Sequence, residues 1–80
     1  MYYVYIVKCS DGTLYTGYTT EIERRIEEHN LGQGARYTRG RTPVTLMHHE
    51  TFSSKSKAMK REYAIKSLSR QEKQELISQK

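Results

Sequence analysis

The chain predicts an α/β fold of the α+β kind: a small three-stranded, mostly antiparallel sheet flanked by helices, in the order β-β-α-β-α-α. Three observations carry that prediction. Residues 2–9, "YYVYIVKC", are β-branched and aromatic and apolar on both faces, as a strand covered on each side requires. "TLYTGYT" follows the turn residues "SDG", which makes the pair a hairpin. Later in the chain, two stretches of helical spacing begin on serines that suit helix caps.

The hairpin register decides which tyrosines share a face. A two-residue Asp-Gly turn would pair Tyr5 with Tyr18 and send Tyr15 to the opposite surface. A three-residue loop, Ser10-Asp11-Gly12, with Gly12 left-handed, pairs Tyr5 with Gly17 and sets Tyr15 diagonally beside Tyr5. The three-residue loop is the expectation, with Gly17 leaving open space by the Tyr5 ring. Thr20 and Glu23 form a capping box that starts the first helix, and Asn30 to Gly32 suit its end. Ile22 and Ile26 set its buried stripe; Arg25 and His29 lie along one edge, and Arg24 points to water. "GQGARYTRGRTP" is glycine-rich and basic and reads as an exposed loop. "VTLMHHETF" is the third strand, in which the adjacent His48 and His49 face opposite sides and cannot chelate together.

Ser53 or Ser54 caps a long helix whose inner positions are Ala58, Met59, Ile65 and Leu68. Glu62 falls among them. A carboxylate in the middle of an apolar face is rare unless paired or bound to a metal. Lys57, Lys60 and Arg61 read as a solvated face. Ser69 with Glu72 forms a second capping box and starts a short last helix.

Eighty residues imply one domain over 1–80, burying only about 60–65% of its unfolded surface. A buried charge in so small a core is costly. Fourteen Lys+Arg against nine Asp+Glu give a net charge of +5 and a pI near 9.5, which favours a polyanionic partner. The single cysteine, Cys9, excludes an internal disulfide and a cysteine-based zinc site. The N-terminal "MYYVYIVKC" lacks the basic region and cleavage site of a signal peptide, and no apolar run approaches the roughly 20 residues that span a bilayer. A cytoplasmic protein without a membrane partner is expected.

With Tyr3-Val4-Tyr5, Tyr15-Thr16-Gly17, "IERRIEEHN" and "KAMKREYAIK" in this order, the chain resembles a GIY-YIG nuclease domain, specifically the small bacterial proteins made of little else. The resemblance covers nearly the whole chain, and "ARYTRGRTPV" also looks like that small-protein branch. It implies a Mg²⁺-dependent (or Mn²⁺-dependent) endonuclease acting on DNA, with repair or recombination as its setting and RNA left open as a substrate. It implies Tyr5, Tyr15, Arg25, His29 and Glu62 as the catalytic set: Tyr5 as general base with Tyr15 as its hydrogen-bonding partner, Arg25 on the phosphate, His29 orienting or accepting a proton, and Glu62 on the metal. Gly17, Arg36, Tyr37, Arg39, Arg41 and Lys66 complete the candidate substrate-binding residues, with Lys57 or Lys60 assisting.

Two departures stand out. The first triplet begins with Tyr3 instead of glycine, a change shared by the small-protein branch. The family's late asparagine has no counterpart after Asn30, and Lys66, one turn beyond Glu62, is the candidate replacement. No helix-turn-helix or zinc-finger reader is present, so selectivity is expected from nucleic-acid shape or a partner protein. The alternatives are a nucleic-acid-binding module without catalysis and a purely structural domain in which Arg25 and Glu62 form an internal ion pair.

Overall fold

The structure is a computed structural model and describes residues 1–79. Its elements are β1 (Tyr2–Lys8), β2 (Leu14–Thr19), α1 (Ile22–Asn30), β3 (Thr45–Phe52), α2 (Lys55–Lys66) and α3 (Arg70–Ser78). The sheet is antiparallel in the order β2-β1-β3, so the doubly apolar strand is central, as expected. Tyr5 pairs with Gly17 and Val7 with Tyr15. Cys9 and Thr13 close the hairpin around Ser10-Asp11-Gly12, with Gly12 at φ 86°, which is the expected three-residue loop.

Alternation along β1 builds two cores. Val4 and Ile6 pack with Ala58 and Ile65 of α2, while Leu76 and Ile77 of α3 close the same side. Tyr5 and Val7 face the other way, against Ile26 of α1, Cys9 and Val44. His48 and His49 pair with Ile6 and Tyr5 respectively and therefore lie on opposite faces. His48 bonds Glu50, whereas His49 sits edge-on to Tyr3.

Several local expectations change. The box of Thr20 and Glu23 does not form: α1 is capped at Glu21 without a side-chain bond, and the Thr19 hydroxyl takes the Glu21 amide instead. Ile22 and Ile26 are only half-buried, and the fully buried residue of α1 is His29. Met59 is 45% exposed, because α2 turns only Ala58 and Ile65 fully inward. Arg61 is not merely solvated, since its guanidinium holds both carboxylate oxygens of Glu50 at 2.8 and 3.0 Å. The caps at Ser54 and Ser69–Glu72 form as expected.

Candidate active site

The geometry begins at Gly17. A Cβ there would stand 2.6 Å from the Tyr5 hydroxyl oxygen and 3.2 Å from the Tyr15 ring. The space expected beside Tyr5 is thus filled by the Tyr5 ring itself, and glycine is what lets it lie flat over β2. Tyr5 is 1% exposed, so its hydroxyl must find partners inside the protein.

It finds two. The hydroxyl lies 2.8 Å from Nε2 of His29, and Nε of Arg25 donates to it at 3.4 Å. Tyr15, expected as its hydrogen-bonding partner, instead stands edge-on to the His29 ring at 5.5 Å, and Tyr5 does the same at 5.8 Å. The imidazole, not the second phenol, therefore links the two tyrosines.

Proton accounting fixes the state of His29. Thr38, fully buried, gives its single hydroxyl proton to the Ala35 carbonyl at 3.0 Å. Its oxygen, 2.7 Å from Nδ1 of His29, is left to accept. The proton of the neutral ring consequently sits on Nδ1, and Nε2 accepts from Tyr5. Arg25, a donor only, agrees with that direction at the phenol. Burial, then the Arg25 charge, pushes the imidazole below its usual range, which keeps it neutral. Burial likewise raises Tyr5 above the ordinary phenol range, outweighing its bond to Arg25 and the Arg25 charge.

Arg25 also pairs with Glu28 at 3.2 Å. The internal pair with Glu62 considered from sequence does not form. Glu62 belongs to α2, whose Ala58 and Ile65 pack on the opposite sheet face. Its side chain is 17% exposed, and its ion pair is with Lys66 at 3.4 Å. It makes no hydrogen bond to Tyr5, Tyr15 or Arg25 among the described residues, but its charge is felt at the Tyr5 hydroxyl, which it raises. Tyr5, Tyr15, Arg25 and His29 are thus gathered in one cluster, and Glu62 joins them through its field alone.

The loop expected to be exposed is partly interior. Gly34 packs its backbone on the His29 ring so closely that a side chain there would collide with it. Tyr37 stacks on Tyr15 with ring centroids 5.8 Å apart. Arg41 is committed to the fold: it bonds Asp11 at 2.9 Å and the Tyr37 carbonyl at 2.7 Å, and lies over the Tyr37 ring at 4.5 Å. Arg36 and Arg39 are exposed, and their side chains have no hydrogen-bond or ion-pair partner among the described residues. Thr38 and Gly34 went unrecognised in the sequence. The only signal for them was a small-residue segment shortly after a helix whose last turn carries a histidine.

No group of three or more His, Cys, Asp or Glu side chains that could hold a metal occurs among the described residues. A zinc or calcium cage does not fit that donor set. Mg²⁺ does fit, because it is commonly held by one or two carboxylates plus waters and substrate phosphate. Glu62, partly exposed and paired with Lys66, is suited to that mode.

The family-model match places the chain that carries this Tyr–His–Arg cluster in a nuclease family. The chain belongs to the GIY-YIG family: the profile described as "GIY-YIG catalytic domain" matches residues 1–75. Among its relatives, the UPF0213 protein of Halobacterium salinarum is 66% identical over 77 residues, covering 96% of this chain and 100% of the relative. That of Staphylococcus haemolyticus is 60% identical over 79 residues, 99% of this chain and 96% of the relative. Two solution structures share the fold. The UPF0213 protein from Bacillus halodurans is 53% identical, with a TM-score of 0.65 over 100% of this chain and 86% of that one. A protein from E. faecalis is 49% identical, with a TM-score of 0.61 over 94% of this chain and 81% of that one.

Proposed function

We propose that the protein is a Mg²⁺-dependent endonuclease that hydrolyses phosphodiester bonds in DNA, with selectivity by nucleic-acid shape or a partner protein and a role in repair or recombination. One observation carries this reading. A phenol is held between a guanidinium and an imidazole whose open nitrogen faces the phenolic proton. A core tyrosine needs a single partner; this one has a donor and an acceptor set to pass a proton.

In the proposed reaction Arg25 turns from the buried Tyr5 oxygen to the phosphate, and the water that takes its place attacks phosphorus while giving its proton to that oxygen. The phenolic proton moves to Nε2 of His29, so the phenol never has to ionise in its buried position. Thr38 keeps the Nδ1 proton engaged, which holds Nε2 as the acceptor. Arg25, half-buried and at the solvent side of the cluster, carries two donor groups suited to non-bridging phosphate oxygens. Exchanging Glu28 for phosphate would let it keep its charge paired. Glu62 would hold the Mg²⁺, which supplies charge neutralisation and assistance to the leaving oxygen. As the phosphorus–oxygen bond breaks, that oxygen takes its proton from solvent. Lys66, beside Glu62, is the cation nearest to the role left open by the missing asparagine. Arg36 and Arg39 supply sequence-independent grip on the backbone.

The test is incubation with nicked, branched and single-stranded DNA, in Mg²⁺ or EDTA, beside Glu62→Gln and Tyr5→Phe. Products that need Mg²⁺ and disappear in both variants are expected. Cleavage that survives EDTA and Glu62→Gln refutes the assignment. Retention of DNA without products selects the non-catalytic binding module.

A further inference from the structure

Beyond the catalytic cluster, a hollow of about 210 Å³ opens at the start of β2 and is lined by Thr13, Leu14, Tyr37, Arg70 and Lys73. Both charged residues of that lining are cations, and Asp11, which bonds the lining Thr13, is already paired with Arg41. Arg70 and Lys73 make no ion pair among the described residues, and the nearest acid in sequence, Glu72, is occupied in capping α3. Lys73 is half-buried, and burial together with the Lys66 ammonium pushes it below the usual lysine range. Lys73 thus stands near the Lys66 ammonium and shares the lining of the hollow with the Arg70 guanidinium, a setting that favours an anion there.

Two side chains tie the hollow to the catalytic cluster. Tyr37 lines it and stacks on Tyr15. Lys66, close enough to Lys73 to repel it, pairs with Glu62. The hollow is therefore one side chain away from both the phenol side and the carboxylate side of the candidate active site. A strand whose scissile phosphate lay at Arg25 and Glu62 would carry a neighbouring phosphate toward it.

We infer that Arg70, Lys73 and Tyr37 form a second phosphate subsite, which binds a backbone phosphate of the strand whose scissile group lies at Arg25 and Glu62. The inference rests on the nuclease reading for its ligand. It adds that α3, which holds none of the expected catalytic residues, grips substrate and sets the strand's position.

The experiment has two arms, both in EDTA so that no cleavage intervenes. First, inorganic phosphate is titrated into the protein and backbone amide shifts are followed. Movement at Tyr37, Arg70 and Lys73, absent in Arg70→Gln/Lys73→Gln, is expected; no movement there overturns the subsite. Second, affinity for a labelled hairpin duplex is measured between about 50 and 200 mM salt. Releasing one phosphate lowers the log–log slope by about 0.9, so the double variant should lose about 3–4-fold less affinity across that range than the unaltered chain. Lys73→Arg should keep the original slope. An equal slope for the double variant, with its amide spectrum otherwise intact, overturns the subsite and leaves the catalytic assignment standing. Phosphate uptake in the hollow by a chain that binds no duplex rejects the nucleic-acid reading, and this role with it.

Discussion

Replacing Thr38 by valine keeps the shape of a fully buried side chain and deletes one hydroxyl. That hydroxyl serves two groups, accepting from Nδ1–H of His29 at 2.7 Å and donating to the Ala35 carbonyl at 3.0 Å. The carbonyl retains the Thr38 amide at 3.2 Å, so its loss is small. The imidazole cannot escape so easily. With the proton on Nδ1, a buried donor loses its acceptor. With the proton moved to Nε2, the Tyr5 oxygen faces two donors, and its own proton has nowhere to go. Either tautomer leaves one buried group unpaired, at a cost of about 1–3 kcal/mol. For a chain of this size that corresponds to a fall in Tm of about 5–20 °C. Thr38→Ser, which keeps the hydroxyl, should lose much less. Thermal melts with ¹⁵N shifts of the His29 ring provide the assay. The unaltered protein should show a protonated Nδ1 and a bare Nε2. A ring protonated at Nε2, or a valine variant that melts with the parent and keeps its tautomer, refutes the reasoning.

Gly17→Ala places a methyl 2.6 Å from the Tyr5 oxygen and 2.8 Å from its ring, so the ring must move; stability should fall by about 1–3 kcal/mol in urea melts, and cleavage should fall with it. Because the folded state holds His29 neutral and the unfolded chain does not, the unfolded state binds more protons below about pH 6.5. Stability should therefore be full above about pH 6.5 and decline as pH falls toward the lowered folded value. The urea midpoint on either side of that pH checks this, and an equal midpoint contradicts it. The acids held low, Glu50 by Arg61 and His48 among them, contribute only below their ordinary value of 4.5 and do not obscure that window. Arg36→Ala/Arg39→Ala should weaken duplex binding and flatten its salt dependence by about 0.9 for each phosphate no longer neutralised, with no change in Tm. An unchanged slope removes the loop from substrate grip.

The fold was legible because its signals are local. The doubly apolar β1, the Ser-Asp-Gly turn and the Ser69–Glu72 box each act within a few residues, and all three appear as read. The same locality explains the misses. Thr20 and Glu23 have the spacing of a box, yet the chain leaving β2 starts the helix one residue later, at Glu21. Met59 has core chemistry, but α2 packs on so small a sheet that a two-residue stripe covers it. At the site, register placed Tyr5, Gly17 and Tyr15 on one face without any structure. The phenol's partner was partly legible, since the resemblance put His29, on α1, in the set as an orienting or proton-accepting group; what holds its ring, Gly34 beneath it and Thr38 at Nδ1, lies on a loop that carries no periodic signal. Glu62 looked anomalous in the sequence, but no spacing rule shows that its helix lies across the sheet from the tyrosines.

That separation makes one measurement decisive. If the carboxylate of α2 and the cluster on the far face of the sheet serve a single phosphate, a paramagnetic ion at Glu62 must reach both. Substoichiometric Mn²⁺ should broaden amide signals around Glu62 and, less strongly, the ring signals of Tyr5, Tyr15 and His29, and Glu62→Gln should abolish both effects. Broadening that bypasses the rings, or persists unchanged in Glu62→Gln, would mean that the acid and the phenol do not share a site.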